Sequence, residues 1–165
     1  MDTVTGEIGS AGASCVYIAS QGVMILSYVS PGVGAVHAQA YYLAANKAYA
    51  ISLMSQGVPP SDIIDSLVAN DAQGNPTIRQ YGIVDFREGV PSSAAYTGEN
   101  CDDYKNHIVG PNYSIQGNIL LGQQILDSME ARFLAAEGEL VCRLMEALKV
   151  ATVPGADTRC MAVHN

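Results

Sequence analysis

The sequence predicts a single α+β domain in which helices cover antiparallel sheets. Pairs of helical patterns alternate with runs of strand patterns, which is the element order of a layered α+β domain. The length of 165 residues suits one ordinary domain. A parallel Rossmann-type sheet would need a strand before every helix and a phosphate-binding loop. The predicted helices instead follow one another in pairs, and the sequence contains neither a Gly-x-Gly-x-x-Gly nor a Walker motif, so this fold is disfavoured.

The first half of the chain predicts two strands and two helices. Alternating small residues indicate a strand over Glu7–Cys15, and Pro31-Gly32 opens a second strand over Val33–Ala40. Apolar residues at helical spacing predict a helix over Ala44–Gln56, and Ser61 is a suitable N-cap for the next helix. The apolar stretch Val16–Ser30 fits no single pattern.

The second half predicts four strands and two more helices. The expected elements are a hairpin of Ile78–Phe86 and Ser92–Thr97, strands His107–Val109 and Tyr113–Ile119, and helices Gln123–Ala136 and Glu139–Ala151. Because Tyr113–Ile119 has alternating apolar residues and leads into a helix, we expect it to be a central, largely buried strand. The tail Val153–Asn165 ends with the start of another strand.

Composition excludes several classes of function. Sixteen acidic residues stand against eight basic ones and are scattered, so no basic face is available for a nucleic acid. The longest apolar stretch, Val16–Val29, contains Ser20-Gln-Gly22 and is too short to span a membrane. The first basic residue is Lys47, so the beginning of this chain does not resemble a signal peptide.

The cysteines predict no metal site. None of the four forms a Cys-x-x-Cys pair, and no histidine–carboxylate cluster has metal-ligand spacing, so we predict neither a metal nor a cofactor. Cys142 lies on an apolar helix face and is expected to be a buried free thiol, although a disulfide to Cys160 is also compatible with the spacing. A nucleophilic Cys101 would need a basic neighbour, for which His107 is the only nearby candidate, and a buried thiol or a disulfide is the preferred interpretation of Cys101.

Polar residues in otherwise apolar or glycine-rich motifs are the candidate site residues. Gln116 and Asn118 lie two apart on one strand face, where their amides either hold a substrate carbonyl or carboxylate or bond the backbone of a loop. Gln39 shares its strand face with His37, for which a packing role is the simpler interpretation. We therefore expect Gln39, Gln116 and Asn118 to converge on one pocket, together with at least one of Arg79 and Asp157.

Three further residues, Arg79, Thr97 and Asp157, are candidates, and two of them have a structural alternative. Arg79 either enters the site or pairs with Asp85 or Asp157, and the adjacent Gln80 points to the opposite face. Thr97 begins a tight loop. Asp157, two residues before Arg159 in a glycine-bounded loop, either joins the site or forms an ion pair with that arginine.

Several of these motifs together resemble the DUF1028 family. They occur in the family's order as Val33-Gly-Ala-Val-His-Ala-Gln-Ala40, Arg79-Gln-Tyr-Gly-Ile-Val-Asp85, Ala95-Tyr-Thr-Gly-Glu-Asn-Cys101, Tyr113-Ser-Ile-Gln-Gly-Asn118 and Gly155-Ala-Asp-Thr-Arg159. The resemblance implies an αββα sandwich like that of the N-terminal-nucleophile (Ntn) hydrolases, with mostly antiparallel sheets. It implies no settled substrate. The loops and cysteines are similar to exported members, which implies a secreted or periplasmic protein.

The resemblance also sets expectations for the ends of the domain. Family members open with a Thr-Phe-Ser-Ile-like segment before the equivalent of Asp2, and further core strands follow the equivalent of Cys160. We therefore expect residues 1–165 to be one DUF1028-like domain that lacks its first strand and last core strands. Such a domain is expected to be only marginally stable, since strand pairing and apolar burial are lost.

Two hypotheses of function follow. An Ntn hydrolase uses an N-terminal Thr, Ser or Cys whose own α-amine is the general base. Residue 1 is Met and residue 2 is Asp, so the nucleophile of such an enzyme is expected upstream of Asp2, and the chain as given is expected to be inactive. The first hypothesis is this amide hydrolase, acting on an unknown small molecule or peptide-like substrate. The second is a non-catalytic secreted or envelope module that binds a ligand. A homo-oligomer is compatible with both.

Overall fold

The computed structural model describes residues 1–15 and 25–163. Within these ranges the chain forms six strands and four helices. The strands are β1 Ser27–Ser30, β2 Gly34–Gln39, β3 Gln80–Arg87, β4 Val90–Thr97, β5 Asn106–Gly110 and β6 Tyr113–Gly117; the helices are α1 Ala44–Ser55, α2 Pro60–Ala69, α3 Gln123–Ala135 and α4 Leu140–Val150. The predicted mixture of helices and antiparallel sheets is confirmed.

The strands form two antiparallel sheets. The first sheet has the order β1-β2-β3-β4, and the second sheet contains β5 and β6 among the described residues. The predicted hairpin joins β3 to β4 through Glu88 and Gly89, which have φ angles of +52° and +79°. Two consecutive positive φ angles match the twist of the flanking strands, which explains the tight turn.

The first sheet is covered on one face by α1 and α2. Strand alternation places Val36 and Ala38 of β2, and Tyr81 and Ile83 of β3, in one fully buried cluster. Each helix adds the apolar side chains of its buried face to the same cluster: Ala50 and Met54 from α1, and Ile63, Ile64 and Leu67 from α2. This cluster is the largest of the three hydrophobic clusters in the described chain.

The second sheet packs on the opposite face of the first. A Cβ atom on Gly82 of β3 would collide with the side chain of Gln116 and lie 2.5 Å from Oγ of Ser114 on β6. Glycine at this position therefore lets the two sheets approach closely. On the far side of β6, the Tyr113 ring packs against Phe133 of α3 with 5.4 Å between centroids. The contacts run in the order helices, sheet, sheet, helices.

Two strand predictions are corrected. Glu7–Cys15 forms no strand, because this segment packs against helix α4 instead of pairing with a neighbouring strand. The approach is closest at Gly9, where an added Cβ atom would lie 2.7 Å from Cδ1 of Leu144. The predicted strand Tyr113–Ile119 ends at Gly117 and is not central, because within the described ranges it pairs only with β5. Ile119 has a φ angle of +58°, which is incompatible with a strand.

Other local differences have equally simple causes. Most of the unassigned stretch Val16–Ser30 lies outside the described residues, and its end forms β1. Helix α2 begins at Pro60 and not after Ser61, since proline suits the first helical position. The tail forms a 3₁₀ turn over Thr158–Val163 in place of a strand. None of the described helices has the length and apolar character that a membrane crossing requires.

The cysteines also differ from expectation. Cys15 and Cys160 form a disulfide across 145 positions of sequence, with 6.0 Å between their Cα atoms. Cys142 is free and exposed, not buried, because it lies two positions after the buried Leu140 and so faces the other side of α4. Cys101 is free and buried.

A buried ion pair fixes the loop between α2 and β3. Arg79 Nε lies 2.9 Å from Oδ2 of Asp71, and their side chains are 3% and 0% exposed. Arg79 also donates a hydrogen bond to the carbonyl of Tyr41, and Asn46 of α1 donates one to Asp71 at 2.6 Å. Burial alone would raise the pKa of Asp71, but hydrogen bonds from Arg79, Asn46 and backbone amides hold it well below its usual value.

We expect the Asp71→Asn variant to lose about 3–5 kcal/mol of unfolding free energy at pH 7, because it leaves the Arg79 charge buried and unpaired. The folded-state pKa of Asp71 is depressed, so this contribution is present above the ordinary aspartate pKa and is lost as the pH falls below it. Urea unfolding from pH 7 to pH 3 measures both effects. Asp65→Asn, at an exposed carboxylate of α2, is the matched control and should change stability by less than about 0.5 kcal/mol. Equal stabilities of the two variants would contradict the assignment.

Candidate functional site

A cavity of about 1140 Å³ lies between the first sheet and the helices α3 and α4. Its polar end is formed by β2 and by the end of β6, and its apolar wall by the helices. The polar side of the cavity includes Ser10, His37, Gln39, Gln116, Asn118 and Asp157, and the apolar side includes Leu126, Phe133, Leu144 and Leu148. The two sides make the cavity suited to a ligand with both polar and apolar parts.

A chain of hydrogen bonds centred on His37 crosses the polar end. Ser114 donates to Oε1 of Gln116 at 2.5 Å, and Nε2 of Gln116 lies 3.2 Å from Nδ1 of His37. The other ring nitrogen of His37, Nε2, bonds Oγ of Ser10, which is 2.7 Å from Oγ of Ser27. An amide nitrogen donates and never accepts, so Nδ1 is the acceptor and the proton is on Nε2. His37 therefore donates to Ser10 and does not act as its base.

The environment keeps His37 neutral. Burial, together with the smaller effect of the positive charge of Lys47, lowers the pKa of His37 to about 4. A neutral imidazole is consistent with the single proton that the hydrogen-bond chain requires. The direction of the chain, from Ser114 through His37 to Ser10, is thereby fixed at neutral pH.

Gln80 connects the two sheets behind the polar end. It is fully buried, and its Nε2 atom lies 2.9 Å from the carbonyl oxygen of Gly117 and 3.2 Å from that of Asn106. Its Oε1 atom accepts a hydrogen bond of 2.8 Å from Gln39. The same Nε2 atom is 2.9 Å from Oγ1 of Thr97. Gln80 thus holds Gln39 in place at the cavity.

Asn118 is the candidate residue that remains available for a ligand. Its side chain is half-buried, lines the cavity and has no hydrogen bond to any described residue. The following residue, Ile119, is fixed on both sides: its amide donates to the Asp102 carbonyl at 3.1 Å, and its carbonyl accepts from the Thr158 amide at 2.9 Å. The positive φ of Ile119 is unfavourable for a β-branched residue. Neighbouring loops therefore hold a strained backbone next to Asn118.

Asp157 is paired at the other rim of the cavity. Its Oδ2 atom lies 2.6 Å from Arg159, whose hydrogen bonds lower the pKa of the Asp157 carboxyl. Ligand atoms of Asp157, Cys15 and Cys160 lie within 4.8 Å of one another. The two sulfur atoms are joined in a disulfide, so only the carboxylate of this group is free to bind a metal.

The structure thus brings four of the six candidate residues to one cavity, namely Gln39, Gln116, Asn118 and Asp157. Arg79 lies on the opposite face of the first sheet and pairs with Asp71, not with Asp85 or Asp157. Thr97 bonds Gln80 and Nδ1 of His107 and does not line the cavity.

The proposed thiol–imidazole pair does not form. Cys101 donates to the Arg79 carbonyl at 3.3 Å, and burial raises the pKa of its thiol. His107 is bonded to Thr97 instead. Sequence reasoning preferred a packing role for His37, although its position two residues before Gln39 already placed both side chains on one strand face. Ser10 and Ser114 carried no recognisable signal of their own.

Comparisons with known proteins agree on the family. The model of a family of unknown function, DUF1028, matches residues 1–163. The chain has a fold similar to that of protein SPO2555 from Silicibacter pomeroyi, a crystal structure that is described with the same family, DUF1028. The TM-score is 0.69 and the sequence identity is 22%. The match covers 78% of this chain and 58% of that one, so the chain spans less than two thirds of the length of its structural relative. No significant match to a curated protein was found.

At 22% identity the structural likeness supports the fold alone. The family match covers nearly the whole sequence and includes the segments that form β2, β3, β6 and the cavity. Because the family model matches residues 1–163, the chain belongs to the DUF1028 family.

Proposed function

We propose that the cavity binds the substrate of an amide hydrolase of the N-terminal-nucleophile type. The observation that carries the proposal is the Asn118 amide, which has no hydrogen-bond partner in the described ranges and lines the same cavity as Gln39 and Gln116. An amide N–H that is held by a rigid backbone and has no other acceptor is suited to bind the oxygen of a substrate carbonyl as it becomes negatively charged. The helix–sheet–sheet–helix order of contacts supports the same class.

The reaction of such an enzyme begins with attack on the amide carbonyl by the hydroxyl or thiol of an N-terminal residue. The nucleophile forms a bond to the carbonyl carbon, its proton passes to its own α-amine, and the C–N bond breaks as the leaving amine takes that proton. Water then cleaves the acyl intermediate and yields a carboxylate. Met1 has no nucleophilic group, and its α-amine donates to the Asn112 carbonyl at 2.8 Å. The proposal therefore places the nucleophile outside these 165 residues.

A non-catalytic ligand-binding module is the second candidate, and the direction of the His37 hydrogen bonds favours it. A hydrolytic serine needs a neighbouring group that accepts its proton. Ser10 instead receives a hydrogen bond from a neutral His37 that Gln116 holds in one tautomer. On this alternative, the same amides bind a ligand without cleaving it.

An exported location forms part of the proposal. The disulfide of Cys15 with Cys160 supports it, because such bonds persist in oxidising compartments and are rare in the cytosol. The acidic, scattered surface charge is compatible with a secreted or periplasmic protein.

The first prediction concerns the N-terminus of the mature, full-length protein. We expect Thr, Ser or Cys as its first residue and hydrolysis of a panel of chromogenic amides. Acetylation of the α-amine should abolish hydrolysis, because the resulting amide is no longer a base. N-terminal sequencing and the activity of acetylated and untreated protein provide the measurement. Any other first residue, together with no amide hydrolysis, would favour the binding module.

The second prediction concerns Asn118. In the mature protein, Asn118→Ala should lower kcat/KM by about 10²–10³ with little change in KM, as expected for a donor to the transition state. Its melting temperature should stay close to that of the parent, because no hydrogen bond within the described residues is lost. Asn70→Ala, at an exposed asparagine that bonds Ser66, is the matched control. Unchanged kinetics for Asn118→Ala would contradict the assigned role.

The third prediction tests the neutral state of His37. Its folded-state pKa of about 4 lies below the ordinary value, so the unfolded chain binds the extra proton first as the pH falls. The free energy of unfolding should therefore decrease from about pH 6.5 towards pH 4. Urea unfolding at several pH values should show a smaller decrease for His37→Gln than for the parent. An identical pH dependence for both would show that His37 does not titrate in this way.

A further inference from the structure

Asp157 holds both cysteines of the disulfide by main-chain hydrogen bonds. Its carboxylate accepts a hydrogen bond from the Cys15 amide, and its carbonyl oxygen accepts one of 2.9 Å from the Cys160 amide. Neither bond involves a sulfur atom, so both can persist when the disulfide is reduced. The residues on either side of Asp157 also bond the main chain of the loop after β6, each at 2.9 Å. We therefore expect the two reduced thiols to stay beside Asp157.

The side chains of these three residues point to one place. One ligand atom from each of Cys15, Asp157 and Cys160 lies within 4.8 Å of the other two. The spacing Asp-x-x-Cys explains part of this, because Cys160 belongs to the 3₁₀ turn that directly follows Asp157, and residues three apart in such a turn lie on the same side. The sequence analysis predicts no metal, because Cys15 lies far from the other two residues along the chain.

The main-chain positions of the two cysteines are compatible with a shared metal ion as well as with a covalent bond. A tetrahedral zinc ion with Zn–S bonds of about 2.3 Å holds two sulfur atoms about 3.8 Å apart. The Cα atoms of Cys15 and Cys160 are 6.0 Å apart, so side-chain rotation can open this separation between the sulfur atoms. The same two positions can therefore serve either form.

The charges of the reduced cluster suit a divalent cation. Two thiolates and the Asp157 carboxylate carry three negative charges, and Arg159, 2.6 Å from Oδ2 of Asp157, carries one positive charge. A divalent ion therefore leaves the cluster neutral. The hydrogen bonds from Arg159 lower the pKa of the Asp157 carboxyl and so keep it ionised. An outer partner of this kind also orients a carboxylate that binds a metal.

From this geometry we propose that the reduced chain binds one Zn²⁺ ion through Cys15, Cys160 and Asp157. Thiolate ligands favour zinc over Mg²⁺ or Ca²⁺, which prefer oxygen. The described residues supply three ligands, and water completes the four of a tetrahedral site. The inference goes beyond the proposed function and does not depend on it.

The zinc site and the disulfide exclude each other, because both use the same two sulfur atoms. A dithiol reductant gives two electrons and two protons to the disulfide and itself becomes a disulfide; zinc then displaces the two thiol protons as it binds. The disulfide is the stable form in an oxidising compartment, whereas the thiols are free in a reducing one. Zinc thus joins residues 15 and 160 in the reduced chain as the covalent bond does in the oxidised chain.

The test compares the oxidised protein with protein reduced by a phosphine, which leaves no competing thiol in solution. We expect the reduced form to bind one equivalent of Zn²⁺ in calorimetry and the oxidised form to bind at least about tenfold more weakly, since it lacks the thiolate ligands. Co²⁺ should give a thiolate-to-metal charge-transfer band in the reduced form alone. Zinc should raise the melting temperature of the reduced protein only, because a ligand of the folded state stabilises that state.

Single substitutions locate the ion. In the reduced protein, Cys15→Ser, Cys160→Ser and Asp157→Asn should each lower the zinc affinity at least about tenfold, because a direct ligand is lost. Only the two cysteine variants should weaken the charge-transfer band. Cys142→Ser removes an exposed free thiol and is the matched control, which should leave the affinity and the band unchanged.

Three outcomes would overturn the inference: equal zinc affinity of the oxidised and reduced forms, loss of binding in Cys142→Ser, and unchanged binding in Cys15→Ser or Cys160→Ser. If reduction alone unfolds the chain, added zinc must restore the circular dichroism of the folded state, and failure to do so overturns the inference as well. None of these measurements uses hydrolysis, so the zinc site and the amide hydrolase fail separately.

Discussion

The buried amide of Gln80 holds together the arrangement on which the site depends. It belongs to β3 but reaches the carbonyl oxygens of Gly117 and Asn106 in the second sheet. These contacts fix how the two sheets lie against each other, and the absence of a side chain on Gly82 allows the sheets to approach. A buried amide that lost these partners would pay the desolvation cost of unsatisfied polar groups, so the arrangement is strongly specified.

Around this contact, the candidate site uses amides where many sites use charges. Gln39 is oriented by Gln80, and Gln116 orients His37. Each of these amides is bonded to a protein group, whereas Asn118, directly after β6, has no such bond within residues 1–15 and 25–163. Around His37 these amides form a neutral polar surface opposite an apolar helix wall, and the charged pair of Asp157 and Arg159 lies at the other rim of the cavity.

The sequence predicts the helices well because their apolar spacing is strong. The bounds of α1, α3 and α4 agree with the expected ones to within one residue at each end. Strand alternation also places Gln39 and Gln116 at one cavity, since each lies on a definite face. The same rule separates Arg79 from Gln80, but only the structure shows which of the two faces the second sheet.

Other features depend on contacts that local patterns do not contain. The small residues of Glu7–Cys15 are as compatible with packing against α4 as with a strand, and the helix contact prevails. The pairing of Cys15 with Cys160 joins opposite ends of the sequence, so spacing could not identify it. The end of β6 is set by loops on both sides of Ile119, which lie far apart along the chain.

The disulfide has a mechanical consequence. Every strand and helix of the described chain lies between Cys15 and Cys160, apart from the 3₁₀ turn that contains Cys160 itself. A pulling force applied between residues before Cys15 and residues after Cys160 would therefore pass through the covalent bond and not through the hydrogen bonds of the sheets. A protein tethered at one end and pulled at the other would keep its sheets and helices under tension, whereas the cavity-lining residues before Cys15, Ser10 among them, would carry the force and be pulled away.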